Sequence, residues 1–235
     1  GHGPSRIRSG MHYVVLNLLG SSFFLLGVSM LYGVLGTLNM ADLAWRTSLL
    51  DPAQAPLVAA AGFLLLVVFA LKAAILPLYF WLPRAYAAAT APVAALFAIM
   101  TKVGLYAILR VFTLIYGSEA GELSNLVQVW LWPLSLLTLA AGVIGALAAR
   151  NLQVLLAYLV VASVGTLLAG IALGSASGIA AALYYLLHST LIAGALFLLA
   201  DLIGQQRGAI GTDLISAGPL RQPLLLGMLF FLGAI

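Results

Sequence analysis

The chain has 235 residues, 64% of them hydrophobic and only 7% charged, with a mean hydropathy of +1.16. A soluble domain carries about 25% charged residues, so this composition excludes a soluble globular shape and marks an integral membrane protein. The absence of cysteine excludes disulfide frameworks, thiolate metal sites and thiol nucleophiles. The ten Lys and Arg behind the net charge of +4 are spread along the chain, unlike a nucleic-acid patch.

The opening GHGPSRIRSG reads as a polar loop without the features of a signal peptide. Residue 1 is not methionine, and the last apolar run is too short to span. Residues 1–235 are therefore expected to form a single membrane domain that is an internal piece of a longer protein. A span needs roughly 20 apolar residues. Such runs fall at about 12–36, 55–82, 91–116, 124–149, 151–173 and 177–203, with the start of another from about 222. DPAQAP, YGSEAGE, GSASG and QQRGAIGTD punctuate them. Lipid leaves no partner for open backbone groups, and the period-two polarity of a barrel is missing, so the runs are predicted to be helices. The fold class is an all-α, polytopic membrane helix bundle.

Basic residues divide between alternate breaks. Arg6, Arg8, Arg84, Arg150, Arg207 and Arg221 fall in one set. The other holds Arg46 with Asp42, Asp51, Glu119 and Glu122. The positive-inside rule puts the first set, and the start of the chain, on the cytoplasmic side.

The second run, FALKAAILPLYFWLPRAY, carries Lys72 in apolar company. Pro77 follows, and it cannot donate to the carbonyl of Ala73. A broken helix beside a charge requires a wet or protein-lined niche. Pro83 with Arg84 is read as the cytoplasmic exit, and Pro92 as a first-turn proline. Lys102 stands mid-span in the third run, with Arg110 two turns beyond it. A lysine at a helix centre costs roughly 2.5–3.5 kcal/mol on insertion scales, and neither Lys72 nor Lys102 has an acidic neighbour within a turn. Two readings stay open: structural ion pairs to carboxylates elsewhere, or buried amines that gain and lose a proton. Arg110 reads as a snorkelling cation.

His188 sits mid-span in ALYYLLHSTLIAG. It is either held by Ser189, Thr190 or Tyr185, or is a relay imidazole. Asp201 is expected at the inner end of that helix, either terminating it or pairing with a loop arginine. No phosphate-binding glycine loop, metal-ligand spacing or Ser/His/Asp set occurs, and His2 and His12 lie together near the start. No cofactor and no metal are expected.

Several of these stretches carry a resemblance. The lysine followed by LPLYFWLPRAY, then APVAALFAIMTKVGLYAILR, MHYVVLNLLGSSFFLLGVSMLYGVLGTLNMADLA and NLQVLLAYLVVASVG, resembles the proton-translocating family shared by respiratory complex I and Mrp-type antiporters. YYLLHSTLIAGALFLLADLIG and GTLNMADLA are most similar to the D-type branch of Mrp multisubunit sodium/proton antiporter subunits. The resemblance implies a fourteen-helix subunit of two inverted five-helix repeats, of which this chain covers the sixth to eleventh helices and the start of the twelfth. It implies that Lys72, Lys102 and His188 form a mid-membrane proton relay. It also implies a partner glutamate before residue 1 and a second broken-helix lysine after residue 235. Implied partners are other membrane subunits, the lipid bilayer, protons and Na+ or another monovalent cation, with no nucleic acid. The implied location is a bacterial plasma membrane. A proton-pumping subunit of complex I (an NADH:quinone oxidoreductase) or of a membrane hydrogenase is the neighbouring alternative. A structural membrane scaffold is an alternative of another class.

Overall fold

The structure, a computed structural model, describes residues 4–215 and 220–234. His2 therefore lies outside the described residues. Arg6 and Arg8 have a described backbone only.

Every long element among the described residues is helical. In chain order they are α1 (Pro4–Leu35), α2 (Met40–Ser48), α3 (Ala55–Ala73), a 3-10 turn (Leu78–Phe80), α4 (Trp81–Ala88), α5 (Ala91–Leu114), α6 (Gln128–Leu147), α7 (Leu152–Ala172), α8 (Ala176–Arg207) and α9 (Pro223–Ala234). Six helical stretches, α3 and α4 counting as one, are long and apolar enough to cross a bilayer. The all-α bundle and its spans thus agree with the sequence reading.

Two local expectations are corrected. Residues 4–10 are helical, not a loop. Pro4 opens α1, where its missing N–H costs nothing, and the 32-residue helix is roughly 48 Å long at 1.5 Å per residue. The break at 37–54 contains the short helix α2, started by Asn39, whose Oδ1 accepts from the N–H of Ala41 (3.0 Å) and Asp42 (3.3 Å). Pro83 lies buried in the first turn of α4, where a proline is tolerated, and the chain stays helical through exposed Arg84 to Ala88.

Helices in lipid gain no hydrophobic attraction for one another, so small residues that let backbones approach hold such bundles together. α6 and α7 are the most closely packed pair. A Cβ on Gly142 would collide with the backbone nitrogen of Ala162, and one on Gly165 with that of Leu139. The N-terminus of α6 is further tied to α7 by Gln128, whose Nε2 donates to the Ala172 carbonyl. α3, α4 and α7 form the buried centre, while α1 and α8 leave most of their length open.

The two ends of the bundle keep the expected loops apart. Gly121 lies against the carbonyl of Ser48, so the Glu119–Glu122 loop and α2 share one end. At the other end the N–H of Leu152 donates to Thr212 (2.8 Å) and that of Leu214 to Arg150 (2.9 Å).

Candidate functional site

The break after Lys72 is made before the proline. The N–H of Ile75 returns to the carbonyl of Ala70 (2.9 Å) and that of Ala74 to Leu71 (3.3 Å), with Ala74 left-handed at φ 59°. This is a Schellman closure in which alanine occupies the place usually given to glycine, at a cost of roughly 1–2 kcal/mol. The helix thus ends at Ala73, the residue whose carbonyl Pro77 cannot serve, and a 3-10 turn restarts the chain at Leu78.

The open backbone of the break is satisfied from neighbouring elements. Thr138 of α6 accepts from the N–H of Leu76 at Oγ1 (3.0 Å) and donates to the carbonyl of Leu134 (2.6 Å). Trp81 Nε1 donates to the carbonyl of Leu71 (3.0 Å). The niche required beside Pro77 is thus lined by protein.

Lys72, half-buried in the last turn of α3, donates through Nζ to Oδ1 of Asn17 on α1. Asn17 is itself oriented, because its Nδ2 donates to the carbonyl of Tyr13 (2.8 Å). Leu16, Asn17, Leu71, Lys72 and Trp81 enclose a void of about 10 Å³, close to the smallest space that holds one water. The Tyr13 ring lies 5.4 Å from both Trp81 and Phe97 and closes the neighbourhood on one side.

Lys102 differs in surroundings. It is 2% exposed in the middle of α5, and its Nζ donates to Oγ of Ser163 on α7 (2.6 Å). Ser163 in turn donates to the carbonyl of Val160 (2.7 Å). Neither lysine has a carboxylate partner among the described residues; the ion pair between Arg46 and Asp42 (3.1 Å) stands apart from both. The structural ion-pair reading therefore finds no support within residues 10–215.

The two lysine segments abut. A Cβ on Gly104 would stand 2.7 Å from the backbone nitrogen of Ala73, so α5 one half-turn beyond Lys102 presses directly on the residue after Lys72.

Beyond Ser163 opens a cavity of about 280 Å³ between α7, α8 and α9. Its polar lining comes from Ser163, Thr166, Tyr185, His188 and Ser189. His188 is exposed and stacks on Tyr184, with centroids 6.3 Å apart and planes 10° from parallel. Ser189 and Thr190 do not hold the imidazole; both hydroxyls turn to the Leu186 carbonyl (3.4 and 2.6 Å), because helical Ser and Thr readily bond back to the preceding turn.

The secondary candidates stand apart from this cluster. Arg110 is exposed, as expected of a snorkelling cation. Asp201 is not at a helix end, since α8 continues to Arg207, and it accepts from Gln205 (2.7 Å) rather than from an arginine. Arg207 instead donates to the carbonyl of Asp213 (2.5 Å). Asn17, Thr138 and Ser163 do not stand out in the sequence. The signal available is an uncharged polar side chain inside an apolar run, a weaker mark than an ionisable one.

A polytopic helical bundle with a broken, lysine-bearing span and a second buried lysine defines an integral membrane protein with ionisable groups inside its spans. The chain belongs to the family described as NADH:quinone oxidoreductase/Mrp antiporter, transmembrane, whose model matches residues 1–233. It is 48% identical over 92% of its length to the D component of a probable K(+)/H(+) antiporter of Rhizobium meliloti (strain 1021), and 43% identical over 98% to the D component of the Na(+)/H(+) antiporter of Bacillus subtilis (strain 168). It spans 40% and 45% of these relatives, less than half of each. Its whole length superposes on 47% of a chain of the membrane-bound sulfane sulfur reductase, an archaeal respiratory membrane complex, with a TM-score of 0.89 and 29% identity. The resemblance to the D-type antiporter subunits read from the sequence is borne out.

Proposed function

We propose that this chain is the central part of a proton-translocating membrane subunit of a multisubunit monovalent cation/proton antiporter, and that Lys72, Lys102 and His188 pass the proton. The observation that carries the reading is the placement of Lys102. It is a buried amine whose described partner is a neutral hydroxyl, and that hydroxyl stands on the wall of a cavity that also contains His188. A lysine kept as half of a structural ion pair would face a carboxylate, and none is described beside Lys102. An arginine would not serve in its place, because it does not deprotonate.

In this mechanism the Lys72 amine, held by Asn17, gives its proton toward Lys102 on the neighbouring helix α5, and Lys102 gives it toward the cavity and His188. The drive is a change of charge at a glutamate before residue 1, expected from the family resemblance, and the proton leaves toward a second broken-helix lysine after residue 235. Other membrane subunits complete the complex, in a bacterial plasma membrane, with the Arg84, Arg150, Arg207 and Arg221 ends cytoplasmic. The names of the relatives divide between K(+) and Na(+), so we propose a monovalent cation, with Na+ the first to assay.

The test is Lys72→Ala in the full-length protein within its complex, assayed for cation/proton exchange in inverted vesicles. Exchange is expected to vanish with assembly intact; undiminished exchange sinks the reading. A second reading, a proton-pumping subunit driven by electron transfer, is favoured by the full-length superposition on the archaeal respiratory complex. Electron-transfer subunits co-purifying with the complex would select it. A scaffold role predicts that Lys72→Met impairs assembly, whereas a relay role predicts an assembled, inactive complex.

A further inference from the structure

We propose that Ser163 is the relay hydroxyl through which Lys102 reaches the cavity, and that the cavity holds the water that takes the proton on toward His188. This deepens the reading above and rests on it. Lys102 is not among the residues that line the cavity, whereas Ser163 and Val160 are. Ser163 is 9% exposed and is the polar group described between the amine and the open space.

The hydroxyl is arranged for this step. Its oxygen accepts from Lys102 Nζ at 2.6 Å, while its own hydrogen is held by the carbonyl of Val160 at 2.7 Å. A rotation about the Cβ–Oγ bond turns that hydrogen from the carbonyl to a cavity water. In the transfer a Lys102 N–H bond breaks as a new Ser163 O–H bond forms. The original Ser163 O–H bond breaks as the water gains a proton. The products are a neutral amine, an intact serine hydroxyl and a hydronium ion. The unprotonated nitrogen of a neutral His188 then accepts from that hydronium. A cavity of about 280 Å³ takes several waters, and its five polar side chains supply the partners that keep them ordered.

The position of Ser163 is set by the close α6–α7 packing. Ala162 and Gly165, its neighbours on α7, press on Gly142 and Leu139, so the hydroxyl is carried by rigid backbone. A serine free to drift would not hold a 2.6 Å contact to the amine.

The experiment uses the full-length protein in its complex and compares Ser163→Ala, Ser163→Thr and Ser163→Val with Lys102→Ala. Ser163→Ala is expected to lower exchange by about tenfold or more with assembly unchanged, and Ser163→Thr to keep it within about twofold. Full exchange in Ser163→Ala beside an inactive Lys102→Ala overturns the Ser163 step and leaves the wider reading standing. Full exchange in Lys102→Ala overturns the wider reading. Should Ser163→Ala fail to assemble, threonine and valine, equal in volume, decide the matter. An active threonine variant beside an inactive, assembled valine variant supports the relay. Equal exchange in the two, or failure of both hydroxyl-free variants to assemble, overturns it.

Discussion

The two buried amines are held in opposite ways. Lys72 sits half-buried at the end of a helix that stops, against the amide oxygen of Asn17 and beside a void for about one water. Lys102 sits fully buried inside a helix that does not stop, against the hydroxyl of Ser163, with a far larger cavity just beyond. An amide oxygen can only accept, so Asn17 stabilises the charged amine and passes nothing on. A hydroxyl accepts and donates at once, so Ser163 can do both. In the proposed relay the difference gives the two lysines different parts: Lys72 holds its proton against Asn17 until it moves toward Lys102, and Lys102 releases its own through Ser163.

The largest expected effect falls on the amines themselves. Lys72→Ala and Lys102→Ala are both expected to remove exchange in vesicles, with native gel migration of the complex unaltered. If only one variant is silent, the two lysines do not act in series and the comparison breaks.

Next in size is the contact that joins them. Gly104→Val places side-chain atoms where a Cβ already stands 2.7 Å from the Ala73 nitrogen, closer than real Cβ contacts allow. Backbone must move, and the end of α3 moves with it. Overpacking of this kind costs about 1–3 kcal/mol. Exchange should fall together with the melting temperature of the detergent-solubilised complex. A normal melting temperature with lost exchange would locate the effect in the alignment of the lysines rather than in stability.

Asn17 sharpens the holding half of the comparison. Asn17→Leu leaves the Lys72 amine without its acceptor and is expected to cut exchange several-fold. Asn17→Gln, one methylene longer, should recover part of it. Equal exchange in all three forms would mean that Lys72 draws its stabilisation from elsewhere, such as the glutamate proposed before residue 1.

How much of this is legible in the chain depends on what kind of signal each feature leaves. Lys72, Lys102 and His188 stand out because an ionisable group in an apolar run is costly and visible. The spans are equally visible, since lipid permits few alternatives. Ala74 leaves no mark: a left-handed C-terminal residue is read from glycine, and here alanine takes that conformation because the Ala70 and Leu71 carbonyls need their bonds closed. The extent of α8 past Asp201 is hidden by the polar Gln205 and Gln206, which look like a loop yet sit comfortably on a helix leaving the membrane. Asn17 and Ser163 are hidden differently. Each is one of many small polar residues in the spans, and only the fold brings it to an amine.

The smallest effect is predicted for Arg110, and it serves as a control within one helix. Arg110 and Lys102 share α5 and lie eight residues apart, about 80° around the axis at 100° per residue. Lys102 points into the bundle, whereas Arg110 is exposed near the end of the helix at Leu114. A long cationic side chain so near a helix end lays its methylenes along apolar surface and keeps its head at the interface. Its removal costs an anchor and no proton carrier. Arg110→Ala is therefore expected to change exchange by less than about twofold, and Arg110→Lys not at all, since either cation snorkels equally well. A loss in Arg110→Ala as deep as that in Lys102→Ala would reveal a second polar route along the outer face of α5. The division between a holding amine and a releasing amine would then no longer describe how this helix is used.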